Sequence, residues 1–530
     1  MEAKSQMNCG RLNIGTFLKQ TALNFPLQEA IVDGEKRLTW SDYNGRVNAL
    51  ANALIHLGVK KGDRVAYLFY NQEESLCSYY AIVKIGALVV PLNYRLVGRE
   101  IKYQLQNSGA KVLIFDQDFV DLVNSIRLDL DKEIQYICLG HPAPVGTLNF
   151  DSLIDAFPKT EPEPLSEIVE ADEAGIHYTS GTTGLPKGAV VTHYSAIWSA
   201  VSKIIAGECF HSSARYLGVL PMFHRAILEN THLGATMTGC TQVLMRRFDA
   251  QRALELIEKE KITLAYFVPA MSIALLNLPE SVKRKYDLGS LKRYFTGTAP
   301  LPDQVRVRVE KELRLPPNII SNAYGITETL HNTYVRAEDM PKKINTAGKP
   351  ALTVELKVLD SHGIELPPGK VGEITVKGAQ QLRRYWNNPE ETAEVIWEHD
   401  GYKWYRSGDL GYKDEDGFLY ITDRKKDMIK SGSENVYSVE VENVIHEHEK
   451  VAEVAVIGTP DEKWGEMVTA VVVTKRGQTL TEEEIIEFCK GKMAGYKRPR
   501  RARIVDGLPR TSTGKVKKVD LREMAKQGKL

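Results

Sequence analysis

A chain of 530 residues exceeds what one ordinary hydrophobic core organises, so a large domain and at least one further domain are expected. The composition, 43% hydrophobic and 26% charged, is that of a globular protein, and a formal net charge of +1 excludes a nucleic-acid binder working through a broad basic surface. Six cysteines without a C-x-x-C spacing set aside a zinc site or disulfide framework and fit a reducing, cytoplasmic setting.

Residues 1–23 lack the apolar core of a signal peptide, and no uncharged apolar run approaches the ~18 residues of a membrane span. Apolar residues at Val47, Leu50, Ala51 and Leu54 then predict a helix over 41–57, stopped by Gly58. A strand is predicted over 64–70, a helix over 73–85, a strand over 87–92, a helix over 99–106 and a strand over 111–115. This alternation points to an α/β fold with parallel sheets wrapped by helices. The Pro/Glu-rich stretch 158–173 reads as an exposed connection. A Gly-rich, β-like region over 371–420 leads to the charge cluster DRKKD at 423–427. Beyond it the pattern is compact: a helix over 439–446, strands over 454–457 and 468–473, and a helix over 482–490. The domain boundary is placed there, giving domains 1–425 and 426–530.

The most unusual segment is YTSGTTGLPKG at 178–188. Thr179, Ser180, Thr182 and Thr183, with Gly181, Gly184, Gly188 and Lys187, form a loop rich in amides and hydroxyls that ends in a cation. Such a loop can wrap polyphosphate oxygens, because glycine lets the backbone approach and its N–H groups point at negative charge. It is not a Walker A loop, since Lys187 follows Pro186 and precedes Gly188. The bland alternative is a flexible Gly/Thr hairpin.

This segment resembles the signature loop of the adenylate-forming superfamily, which includes acyl- and aryl-CoA synthetases, adenylation domains of peptide synthetases, and luciferases. Further motifs resemble that superfamily in the expected order. They are Pro221-Met222-Phe223-His224, Gly297-Thr298-Ala299-Pro300, Tyr324-Gly325-Ile326-Thr327-Glu328, Tyr405-Arg406-Ser407-Gly408-Asp409, Asp423-Arg424-Lys425-Lys426-Asp427 and PRTSTGK at 509–515. The resemblance implies a large N-terminal domain of two α/β subdomains plus a small β-barrel-like part, a small mobile α+β C-terminal domain, and an active site at their junction. It also implies an AMP-forming acyl-CoA synthetase using ATP, Mg²⁺ and coenzyme A, in which a carboxylic acid attacks the α-phosphorus of ATP. Bringing anion to anion is work for positioning and charge neutralisation rather than covalent catalysis.

By the same resemblance, Thr327 contacts the α-phosphate and Glu328 holds the metal. Ala323, Tyr324 and Gly325 pack around the adenine beside Gly297, Thr298, Ala299 and Pro300. Asp409 accepts from the ribose hydroxyls with Arg424 assisting. Lys515 reaches the substrate carboxylate and α-phosphate, supplying a cation without a permanently buried ammonium. Lys426 matches the hinge about which the small domain rotates; many relatives carry Asp there. Gly432 would line the pantetheine tunnel, while Trp464, Tyr496, Lys497 and Arg498 are candidates for the CoA nucleotide, by ring stacking and phosphate pairing. A solvated basic face is the alternative for that patch.

The acid pocket is expected to draw on His224, Arg225, Glu229 and His331. Arg225 and Glu229 stand where relatives commonly have small or apolar residues. Either they pair at i,i+4 spacing or one of them recognises a polar group on the acid. Polar residues after Glu328 resemble aryl-acid ligases, whereas 267–270 and 273–278 resemble medium- or long-chain ligases, so a fatty or an aryl acid stays open. Loading of a carrier protein's phosphopantetheine is the alternative to free CoA, and a nucleotide-binding regulator is disfavoured by the presence of Glu328 and Lys515. No nucleic-acid partner is expected, and a homodimer is left open.

Overall fold

The computed structural model describes residues 12–130, 133–163, 167–179, 186–207, 210–298, 301–431, 434–462, 464–510 and 516–530. The chain divides into two compact units, Met1–Glu355 with Lys377–Tyr405, and Leu356–Val376 with Arg406–Leu530. Among the described residues no helix is long and apolar enough to cross a membrane.

The first unit is built on two large sheets. One has eight strands in the order Arg384–Tyr385, Lys187–Thr192, Glu173–Thr179, Leu88–Pro91, Arg64–Leu68, Val112–Asp116, Gln135–Leu139 and Leu148–Asn149. Its centre is parallel, and the strands Leu88–Pro91 and Val112–Asp116 are buried at every residue, as expected of strands covered on both faces. The other has nine strands and runs from Lys349–Pro350 at one edge to Lys36–Thr39 at the other. Its parallel middle, Arg215–Gly218, Leu264–Tyr266, Arg293–Gly297 and Ile320–Ile326, carries the motif residues on its last two strands.

The helices start where short polar side chains can cap them. Thr39 and Asp42 form a capping box on Trp40–His56, and Thr192 and Ser195 form one on His193–Ile205. The helix Glu73–Lys84 is buried along its whole length, its charges included. Glu73 is paired with Arg46 at 3.0 Å and Lys36 at 3.1 Å, and Lys84 meets Glu161 at 2.9 Å, as buried charges require. That last contact corrects the reading of 158–173 as merely exposed: Glu161 also accepts from Asn44 and Asn48, and Ile168 is buried.

In the second unit, Leu419–Arg424 pairs antiparallel with the far end of Tyr402–Lys413, placing Asp409 opposite Arg424. Further along, the long hairpin Val451–Asp461 and Gly465–Thr474 carries Arg501–Ile504 on one side, with the helices Ser438–His446, Glu482–Phe488 and Lys518–Lys526 around it. Asp423 accepts from the Ser438 amide, and Lys518 reaches both the Ser438 hydroxyl at 2.6 Å and Glu442 at 2.7 Å. Residues 406–425 therefore group with the C-terminal part of the chain, whereas the charge cluster alone suggested a cut after 425.

Candidate active site

In the first unit the signature loop hangs from an antiparallel pair. Tyr178 lies opposite Gly188 and Thr179 opposite Lys187, so both ends of the loop are fixed by a strand ladder. Ser180, Gly181, Thr182, Thr183 and Gly184 lie outside the described residues. Lys187 forms an ion pair with Glu391, its ammonium 5.8 Å from the centre of the Tyr385 ring.

The strand Arg293–Gly297 brings Gly297 into register with Ala323 on Ile320–Ile326, so Tyr324 follows on the neighbouring strand. A Cβ at Gly297 would stand 2.5 Å from the Tyr266 hydroxyl, which accounts for glycine there. Thr298 follows with φ 69°, an unfavourable value for a β-branched residue. Ala299 and Pro300 lie outside the described residues.

Ile320–Ile326 turns back into Leu330–Val335, with Ile326 opposite Leu330 and Thr327, Glu328 and Thr329 in the turn. A side chain at Gly325 would collide with the Leu330 carbonyl. Leu330 is buried with φ 53°, a left-handed conformation that costs roughly 1–3 kcal/mol in a non-glycine residue. Such a turn needs support from its surroundings, and several groups supply it. The Leu382 amide donates to the Glu328 carbonyl at 2.6 Å. Arg225 Nη1 donates to the Thr327 carbonyl at 2.8 Å and to the Glu328 carbonyl at 3.4 Å. The Tyr385 hydroxyl donates to Glu328 Oε1 at 2.9 Å and lies 3.0 Å from the Tyr405 hydroxyl. Burial first, and then the Glu328 carboxylate, push the Tyr385 hydroxyl far above its ordinary pKa, so it remains a donor.

Arg225 precedes a buried π-helical turn, Ala226–His232, a local form often found at functional sites. The side chains of Arg225 and Glu229 are 0% and 1% exposed, and they pair at 2.8 Å. Glu229 also bonds His177 Nε2 at 2.7 Å. Burial alone would raise the Glu229 pKa, but His177 and Arg225 outweigh it and hold the carboxyl below its ordinary range. The Arg225 Nη2 donates to the Gln380 carbonyl at 2.9 Å and to Ser195 Oγ at 3.2 Å. Both charges counted with the acid pocket thus spend their hydrogen bonds on each other and on the protein. Their four-residue pairing was legible in the sequence; the π-helical turn that hosts it was not.

His224 is half-buried with its ring 4.2 Å from that of Phe223. His331 is buried, its Nδ1 2.9 Å from the Tyr334 hydroxyl and its ring 5.7 Å from Phe295. Burial chiefly, and then the Lys203 charge, push its pKa well below the ordinary histidine value, which leaves a neutral imidazole at pH 7. The Lys203 ammonium sits 3.4 Å from the centre of the Phe295 ring and 5.0 Å from that of Tyr266.

The second unit holds its own candidates. Asp409 is almost fully buried, accepts from Arg424 Nε at 2.9 Å, and donates its amide to Ser407 Oγ at 3.1 Å. Gly408 has φ 69°, and its carbonyl takes the Lys425 amide at 2.9 Å, tying the ends of the two motifs together. Burial pulls the Lys426 ammonium down to about 8, against the opposing pull of Asp427. Arg500 lies 4.1 Å over the Trp464 ring, Lys497 pairs with Glu440 at 2.6 Å, and Tyr496 is exposed. Gly432 and Lys515 lie outside the described residues.

Sequence reasoning missed Tyr385, Gln380, Ser195 and His177, which stand outside or at the margin of the motifs. For Gln380, Ser195 and His177 the one signal was the charged pair Arg225 and Glu229 in an otherwise apolar stretch, which demanded buried partners; nothing pointed to Tyr385. For Mg²⁺, a single carboxylate with one oxygen fixed by a tyrosine is a fitting donor, because this ion keeps most of its waters and takes phosphate oxygens for the rest. Among the described residues no group of three or more His, Cys, Asp and Glu forms a dedicated metal cage.

Comparison with known proteins gives concordant results. The AMP-binding enzyme family matches residues 18–386, and the AMP-binding enzyme C-terminal domain matches residues 440–515. The indoleacetate–CoA ligase of Aromatoleum aromaticum is 36% identical over 512 residues, covering 95% of each chain. A long-chain-fatty-acid–CoA ligase of Mycobacterium tuberculosis is 36% identical over 520 residues, covering 96% of this chain and 98% of that one. Among solved structures, an anthranilate CoA ligase in complex with anthranoyl-AMP superposes with a TM-score of 0.89 at 28% identity, covering 98% of both chains.

Proposed function

Because the chain belongs to the AMP-binding enzyme family and is an AMP-forming acyl-CoA ligase, we propose that it activates a medium- or long-chain fatty acid or an aryl acid as its adenylate and transfers the acyl group to coenzyme A. The observation that carries this reading is the turn 327–329, which presents Thr327 and the tyrosine-oriented Glu328 carboxylate on a backbone held by Arg225 and by the Leu382 amide. Preorganised polar groups of this kind are what phosphoryl chemistry demands.

In the first step an oxygen of the substrate carboxylate bonds to the α-phosphorus of ATP as the bond to pyrophosphate breaks. Thr327 contacts the α-phosphate, and Lys515 neutralises charge on the carboxylate and that phosphate. Glu328 would hold Mg²⁺, which when bound screens the phosphate charges. Ala323, Tyr324, Gly297 and Thr298 take the adenine, and Asp409 with Arg424 takes the ribose hydroxyls, a diol facing a carboxylate. In the second step the CoA thiol bonds to the acyl carbon, the acyl–phosphate oxygen bond breaks, AMP leaves and the thiol proton passes to solvent. Lys426 serves as the hinge between the steps, Gly432 lines the pantetheine path, and Trp464, Tyr496, Lys497 and Arg498 bind the nucleotide of CoA. His224 and His331 belong to the acid pocket.

The test is acid-dependent exchange of labelled pyrophosphate into ATP, with the nucleotide product identified. Exchange that needs both an acid and Mg²⁺, with AMP as product, supports the reading. ADP as product, or no exchange with any fatty or aryl acid, overturns it.

A further inference from the structure

We propose that Arg225, braced by Glu229 and His177, is a positioning residue that fixes the backbone of the turn bearing Thr327 and Glu328, rather than a recognition element for the acid; this rests on the adenylating role proposed for those two residues. The geometry supports it in four ways. The guanidinium donors reach the turn and its neighbour, through the carbonyls of Thr327, Glu328 and Gln380, and the hydroxyl of Ser195. Glu229 fixes the guanidinium from below through Nε, and is itself fixed by His177 from the strand that leads into the signature loop. Full burial of the pair removes the solvent screening that would let either side chain drift. The turn it holds runs directly into a strained residue, Leu330, which persists only where the surroundings over-determine the backbone.

The choice of arginine follows from this geometry. Three carbonyl acceptors, a hydroxyl and a carboxylate lie around one planar group, and only a guanidinium carries enough donors in a fixed fork to serve them. A lysine supplies the charge but not the fork. The network also joins three separate segments that carry motif residues: Tyr178 lies beside His177, His224 beside Arg225, and Thr327 and Glu328 lie in the turn. A change at Arg225 is therefore expected to act on the rate of adenylation through the turn, without direct contact with substrate.

The test combines kinetics with amide hydrogen exchange on the full chain, using octanoate and phenylacetate as probe acids in pyrophosphate exchange. Arg225→Met is expected to lower kcat by about 30- to 100-fold, to leave KM for the acid within twofold, and to speed exchange of the amides at 327–331 by at least tenfold. Arg225→Lys should recover part of kcat. Glu229→Gln, which preserves shape, provides the same comparison if Arg225→Met does not fold, with smaller changes in the same direction. Gln242→Met removes a buried hydrogen bond to His232 on the same π-helical turn without touching 327–329, and should lower Tm while leaving kcat unaltered. Unchanged amide exchange at 327–331, an unchanged kcat, a rise in KM for the acid with kcat preserved, or an equal loss in Gln242→Met would each overturn the proposal. If the wild-type protein exchanges pyrophosphate with neither probe, the adenylation reading is what fails there, and the amide-exchange comparison still decides the role of Arg225.

Discussion

Replacing Tyr385 by Phe removes one hydroxyl from the candidate active site. The ring stays, so the packing against Ala189, Leu382 and Tyr405 and the neighbouring Lys187 ammonium are preserved. What is lost is the hydroxyl that donates to Glu328 Oε1 at 2.9 Å and lies 3.0 Å from the Tyr405 hydroxyl, of which the bond to the carboxylate is the stronger. A hydrogen bond to a charged acceptor contributes about 1.5–3 kcal/mol, and about 1.4 kcal/mol is a factor of ten in rate. If Glu328 holds Mg²⁺ in the adenylation step, kcat/KM for pyrophosphate exchange should fall by about 10- to 150-fold. Because the carboxylate loses its orientation rather than its charge, added Mg²⁺ should restore part of the loss. The assay is acid-dependent pyrophosphate exchange at a series of Mg²⁺ concentrations, with circular dichroism to confirm the fold. Activity within twofold of wild type at every Mg²⁺ concentration would refute the assignment of Glu328 and of the tyrosine that orients it.

Further outcomes follow from the same account. Lys515→Ala should cut adenylation far more than CoA transfer from a supplied acyl-adenylate; equal losses in the two half-reactions would contradict its role. Lys426→Pro should do the reverse by stiffening the hinge, and an unaffected thioester-forming rate would count against a hinge at that residue. Asp409→Asn should raise KM for ATP by about tenfold or more by weakening a charge-assisted bond to the ribose, as measured with GTP-free ATP at saturating acid; an unchanged KM would remove Asp409 from the nucleotide site. Glu229 is held below the ordinary glutamate value of 4.5, so its contribution to stability is present above that pH and lost as pH falls through its lower folded value. The deficit in Tm of Glu229→Gln relative to wild type should therefore be full at pH 7 and shrink below about pH 4.5; a deficit independent of pH would argue against an ionised Glu229.

Much of the architecture was legible because burial writes itself into the chain. The runs Val112 to Phe115 and Val65 to Leu68 are continuously apolar, as strands buried on both faces have to be. The helix Trp40–His56 shows its period and its cap in the residues themselves. The helix Glu73–Lys84 was expected, but its complete burial was not legible, because the charges on it are neutralised by partners as distant in sequence as Glu161. Local pattern cannot reveal a partner supplied by a loop more than seventy residues away. The family was legible for a related reason, since its motifs are confined to short segments that can be read one by one. Tyr385 escaped because its role depends on a strand pairing with Lys187–Thr192, nearly two hundred residues earlier, and nothing in the local sequence Arg384-Tyr385-Trp386 marks that pairing. The π-helical turn at Ala226–His232 escaped because its period differs from that of an α-helix by too little to register over two turns.

The central claim is that the acyl group passes from AMP to the thiol of free coenzyme A. The most direct measurement incubates the purified protein with ATP, Mg²⁺, CoA and a panel of straight-chain, branched, hydroxylated, dicarboxylic and aryl acids, and identifies nucleotide and thioester products by mass. The account predicts equal amounts of AMP and an acyl-CoA from a fatty or an aryl acid, with the preferred class identifying the acid pocket's substrate. AMP and pyrophosphate without any thioester, restored only when a phosphopantetheinylated carrier protein is added, would contradict it and would remove Trp464, Tyr496, Lys497 and Arg498 from a CoA site.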